Sequence, residues 1–172
     1  PSAVEHMLRR WMHAGGYVSH QVETPTGQLH YYDTEGRDGD GSVLVVLHGV
    51  SSGATLMAPI VRKLAPDFER VIALDMPGHG FSEAPADLDL ETFYEGVACA
   101  LEHAIDRPTV FFGHSLGGAV ATRFATEHPA LTRGLILLSP AGAPSPESQR
   151  QLWLDQFVMP DHRAARDFVR QL

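Results

Sequence analysis

The chain has 172 residues, 44% of them hydrophobic, which is enough for one buried core and too few for two independent domains. Its formal charge of -8, from 21 acids against 13 bases, leaves no phosphate-tracking basic surface, so nucleic acid is not expected as a partner. A single cysteine, Cys99, excludes an internal disulfide framework and leans toward a cytoplasmic location, and no apolar run approaches the ~20 residues of a membrane span. The first residues show no signal-peptide core, and a start at Pro1 rather than methionine leads us to expect that residues precede it.

Val4, Leu8 and Trp11 fall at helical spacing, with Glu5, Arg9 and Arg10 between them, and predict a short packing helix over Val4 to His13. Two strand-like runs, Tyr17 to Glu23 and Gln28 to Asp33, flank the turn residues Thr24-Pro25-Thr26-Gly27 and predict an antiparallel hairpin. Four uninterrupted apolar runs follow: Val43 to Leu47, Val71 to Leu74, Thr109 to Phe112 and Leu135 to Leu138. Such runs predict strands buried on both faces. Segments of helical length lie between them, at Ala54 to Ala65, Glu91 to Ile105 and Leu116 to His128. Alternation of this kind predicts a mostly parallel, doubly wound α/β sheet, with ligand sites at the carboxyl ends of the strands. After Ser139 the prolines Pro140, Pro144 and Pro146 precede two helix-like segments, Glu147 to Val158 and His162 to Leu172. There, Trp153 with Phe157, and Phe168 with Leu172, form i,i+4 apolar pairs.

The most specific signal is Gly113-His114-Ser115-Leu116-Gly117-Gly118, directly after the third apolar run. A strand that gives way to a helix within a residue or two forces the intervening serine into strained dihedrals and needs small neighbours. The Ser115 hydroxyl is thereby presented as a nucleophile. Attack on an acyl carbon creates an oxyanion, and backbone amides can stabilise it. The Leu116 amide, at the start of the next helix, is one candidate. Val50, in the loop His48-Gly49-Val50-Ser51-Ser52-Gly53, is chosen as the second.

At these residues the chain resembles the α/β-hydrolase superfamily. His48-Gly49, Asp75-Met76-Pro77-Gly78-His79-Gly80-Phe81-Ser82 and Gly113 to Gly118 stand in that family's order, and the resemblance runs from about Tyr17 to Pro140. It implies Ser115 as nucleophile, Val50 and Leu116 as oxyanion hole, and an esterase- or lipase-like hydrolase that cleaves a small, mainly apolar ester, thioester or related acyl compound through an acyl-enzyme. It also implies a hydrolase core over residues 1–141 and the start of a helical cap over 142–172. In that setting His114, Trp153 and Phe157 are candidates to line the substrate pocket, although Trp153 and Phe157 could equally fill the cap interface.

Only 57 residues follow Ser115, whereas the family places its acid and then its histidine after later strands. His128 lies one helix away, roughly 18 Å at 1.5 Å per residue. His162, beside Asp161, reads as a helix start. The expectation is therefore that base and acid lie beyond Leu172, that the fold is truncated here, and that this chain alone is inactive. Its uncovered surfaces should then meet either a missing C-terminal half or another copy. A non-catalytic fragment or binding module is the alternative.

No cofactor or metal is assigned. His48, His79 and His114 could serve a metal only if all three converged within about 2.1 Å of one ion. The resemblance implies instead that His48 and His79 are structural and hold loops by hydrogen bonds, and Asp75 is read as the anchor of the Pro77 to Gly80 turn. Gly78-His79-Gly80 lacks the third glycine of a dinucleotide loop, because position 83 is Glu.

Overall fold

The structure is a computed structural model, and it describes residues 3–36, 41–144 and 146–148. The chain divides into two compact units, Pro1–Gly142 and Ala143–Leu172, and nearly all of the second lies outside the described residues. The following concerns the first unit.

Its six strands are β1 (Val18–Thr24), β2 (Gly27–Asp33), β3 (Val43–Leu47), β4 (Arg70–Leu74), β5 (Thr109–His114) and β6 (Thr132–Leu138). They form one sheet in the order β1-β2-β4-β3-β5-β6. The hairpin is antiparallel, as expected, and it joins the rest through antiparallel pairing of β2 with β4. The remaining pairs are parallel. Helices α1 (Ala3–Ala14), α2 (Ala58–Leu64), α3 (Leu90–Ala104) and α4 (Leu116–Glu127) complete the unit, with a 3-10 turn at Ala54–Met57 just before α2.

The central strand β3 explains the two-sided packing. The chain leaves it through α2 to β4 on one side and returns through α3 to β5 on the other. Right-handed crossovers in opposite directions put their helices on opposite faces. Accordingly Val43, Val45 and Leu47 pack with Phe93, Val97 and Leu101 of α3 and Val120 and Phe124 of α4. Leu44 and Val46 face the other way, with Ala58 and Val61 of α2 and Met12 of α1. All five β3 residues are buried, each contributing about 1.5–3 kcal/mol of apolar transfer. Helix α3 starts where Asp89 accepts a hydrogen bond from the Thr92 amide at 2.7 Å, a side-chain cap that fixes its first turn.

Two expectations are corrected. The apolar run in β6 is not buried: Leu135 to Leu138 are each 37–46% exposed. Among the described residues β6 pairs with β5 alone, so apolar sequence here marks an edge strand rather than a covered one. In α1, Val4 and Trp11 are exposed and the buried residue is Met12, which reaches Tyr17, Tyr32 and Leu44. Trp11 instead stacks beneath the Arg62 guanidinium, 5.0 Å from ring centre.

Candidate active site

Strand β5 ends at His114 and α4 begins at Leu116, so Ser115 makes the whole turn by itself. Its dihedrals, φ +51° and ψ -116°, are disfavoured for any residue with a Cβ and cost about 1–3 kcal/mol. The backbone around it holds that conformation. Ser115 donates its amide to the Leu138 carbonyl at 3.1 Å, extending the β5–β6 ladder. Its own carbonyl accepts from the amides of Gly118 (3.0 Å), Ala119 (3.2 Å) and Ala141 (2.8 Å). The turn is thus tied to the helix after it, the strand beside it and the segment following β6.

The glycines permit the close approach. A Cβ on Gly113 would stand 2.6 Å from the Gly117 carbonyl oxygen, and one on Gly118 would stand 2.8 Å from the Pro140 ring. Gly49 carries the loop after β3 over the turn: a Cβ there would lie 3.0 Å from His114 Nδ1 and 3.2 Å from Ser115 Cβ. The structure therefore brings together Ser115, His114 and the loop that bears Val50. Among the described residues neither the Val50 nor the Leu116 amide has a hydrogen-bond acceptor. Val50 is exposed, His114 is half-buried, and His114 Nδ1 is a buried ring nitrogen without a described partner. Trp153 and Phe157 lie outside the described residues.

The loop after β3 is held by three side chains from the strand ends. His48 is buried; its Nδ1 donates to the Gly49 carbonyl at 2.7 Å and its Nε2 accepts from the Met76 amide at 3.0 Å. The bond accepted at Nε2 requires the neutral ring. Burial pushes its pKa down to about 4, the neighbouring His79 and His114 acting in the same direction against the Gly49 bond. His79 donates from Nδ1 to the Pro77 carbonyl at 2.9 Å and accepts the Ser51 amide at Nε2, 3.3 Å away. Asp75 is buried and accepts the Ala54 amide at Oδ1 (2.7 Å) and the Phe81 amide at Oδ2 (3.2 Å). These three residues act as loop anchors. Among the described residues no three or more His, Cys, Asp or Glu side chains are grouped so as to hold a metal ion.

His128 is directed elsewhere. It caps the far end of α4, stacks on Phe124 at 4.3 Å and lies 3.4 Å from Glu102. His162 is outside the described residues. One residue that sequence reasoning passed over is His30, in the middle of β2. Its ring is 1% exposed, and its Nδ1 lies 2.9 Å from Asp75 Oδ2. Only the pairing of Tyr31 with Leu74, which puts His30 opposite Asp75, reveals it.

The profile of the alpha/beta hydrolase fold family matches residues 42–171, so the chain belongs to that family. It is similar to a pimeloyl-[acyl-carrier protein] methyl ester esterase of Shewanella sp. (strain MR-7), 38% identical over 112 residues, which are 65% of this chain and 38% of that protein. It is also 32% identical over 111 residues to the (E)-2-((N-methylformamido)methylene)succinate hydrolase of Acinetobacter baylyi, covering 64% of this chain and 40% of that enzyme. Among solved structures, naproxen esterase (carboxylesterase NP) from Bacillus subtilis superposes with a TM-score of 0.70 over 99% of this chain and 61% of its own; at 19% identity that likeness shows the fold. The matched stretches span well under half the length of these curated relatives. No helix among the described residues is long and apolar enough to cross a membrane.

Proposed function

We propose that Ser115 is the nucleophile of a serine hydrolase that cleaves a small, mainly apolar ester, thioester or related acyl compound. The hydroxyl adds to the acyl carbon, the leaving group departs with a proton, and water then cleaves the acyl-enzyme. The amides of Val50 and Leu116 receive the oxyanion in both halves of the reaction. The observation that carries this reading is the strained Ser115 turn with Gly49 packed over it, next to two amides without acceptors. Ester-cleaving relatives support the substrate class. We place the proton acceptor and its carboxylate outside the described residues. His114 lines the acyl pocket.

The test is labelling of the complete protein by a fluorophosphonate probe. Wild type is expected to label and Ser115→Ala is not; equal labelling of the two would overturn the assignment.

A second reading, a binding module with this fold, is favoured by one observation. No described histidine hydrogen-bonds the Ser115 hydroxyl, so the 172-residue chain by itself is expected to turn over p-nitrophenyl esters at the buffer rate. Turnover lost in His128→Ala or His162→Ala would discard it.

A further inference from the structure

Asp75 is a buried carboxylate that holds two loops at once. Its Oδ1 fixes Ala54, the residue that closes the Val50-bearing loop, and its Oδ2 fixes Phe81 in the turn that carries His79. His79 in turn holds Ser51 of the same loop. A small rotation of the Asp75 carboxylate would therefore move the loop at two points. What sets that rotation is His30.

The β2–β4 register places His30 directly opposite Asp75, where side chains on paired strands meet. The Asp75 amide donates to the His30 carbonyl at 2.9 Å, and the His30 amide donates to Ser82 Oγ at 2.8 Å. The Ser82 hydroxyl donates back to the Asp75 carbonyl. On the ring, Nδ1 donates to Asp75 Oδ2 at 2.9 Å, and Nε2 shares a hydrogen bond with Ser19 Oγ at 3.0 Å. Tyr32 packs edge-on against the imidazole at 4.5 Å, and Phe81 at 5.3 Å, so the ring has little freedom to turn. The sequence Ser19, His30, Asp75 has the residue types of a catalytic triad, yet Ser19 lies in a regular strand paired with Tyr32 rather than at a strained turn. The relay points inward, to the loop.

We propose that His30 is a positioning residue for the reaction at Ser115: held by Ser19, it orients the Asp75 carboxylate and through it the loop whose Val50 amide faces the oxyanion. This rests on the Ser115 reading above. Misplacing an oxyanion donor by a fraction of an ångström costs transition-state binding far more than substrate binding.

The experiment compares His30→Asn, His30→Gln and Ser115→Ala in the complete protein. Asparagine can place an N–H near the Nδ1 position and keep the bond to Asp75, whereas glutamine reaches the Nε2 position and loses it. Two readouts are taken: the rate of fluorophosphonate labelling, and hydrogen exchange at the Ala54 and Phe81 amides. His30→Gln is expected to label on the order of tenfold more slowly, with faster exchange at both amides, and His30→Asn to restore both to near wild type. Labelling and exchange that are alike in the two variants overturn the proposal. Should wild type and Ser115→Ala label equally, the Ser115 reading fails. The exchange data alone then decide whether His30 holds the loop, and unchanged protection in His30→Gln overturns that as well.

Discussion

Gly117 donates its amide to the His48 carbonyl at 3.0 Å, and a Cβ on Gly117 would collide with that carbonyl and its neighbour at Leu47. The helix after the strained serine is thereby pinned to the loop after β3 by backbone alone. Because the obstructing atoms are backbone, they cannot swing aside. Gly117→Ala is expected to destabilise the fold by about 3 kcal/mol, the upper end of overpacking costs, measured by urea denaturation. Gly134→Ala is the control: nothing lies within 4 Å of its added Cβ, and the change should be neutral or slightly stabilising.

His48 supplies a pH dependence with a definite sign. Its pKa falls from the ordinary 6.5 to about 4 in the fold, so the unfolded chain binds the extra proton first. Stability from this group is complete above pH 6.5 and declines as pH falls toward 4, by about 3 kcal/mol in all. Across that window the folded ring stays neutral and keeps the bond that Nε2 accepts from Met76; protonation breaks that bond only as pH falls through about 4. His48→Gln, which cannot titrate, should show a flatter stability profile between pH 4 and 6.5 in thermal melts at fixed ionic strength.

Asp33 and Arg70 form a fork at the opposite end of the sheet, with Nε at 3.0 and 3.1 Å from the two carboxylate oxygens. Asp33 is 3% exposed and Arg70 25%. Arg70→Met would strand a buried carboxylate and is expected to cost about 3 kcal/mol, the low end for such pairs because Arg70 is partly solvated. The double variant with Asp33→Asn should recover part of that loss in the same denaturation assay, since it removes the stranded charge.

The exposed apolar strand β6 should make the chain self-associate. Sedimentation velocity over rising concentration is expected to show reversible oligomers, and Ile136→Lys, which puts a charge on the edge strand, should shift the distribution toward monomer. An unchanged distribution would show that β6 is not the contact.

Much of the fold was legible because it is written in local pattern. Four short apolar runs separated by helical lengths give an α/β sheet, and Gly113 to Gly118 gives the serine turn, since only small residues allow helix and strand to approach so closely. Burial was read less well. Leu135 to Leu138 and Val4 and Trp11 have apolar sequence, yet exposure depends on what covers an element, which periodicity does not encode. His30 was invisible for a related reason: 45 residues separate it from Asp75, and a histidine inside a strand carries no local mark of its partner.

The sequence by itself thus determined the alternation of elements, the strained serine and the loops that follow β3, β4 and β5, because each rests on neighbours in the chain. Tertiary structure decided the rest: that Gly49 lies over Ser115, that Asp75 joins two loops to His30, and that β6 stands at an edge. Those relationships follow from strand order and register, which are set by the cooperative burial of the whole sheet rather than by any one segment.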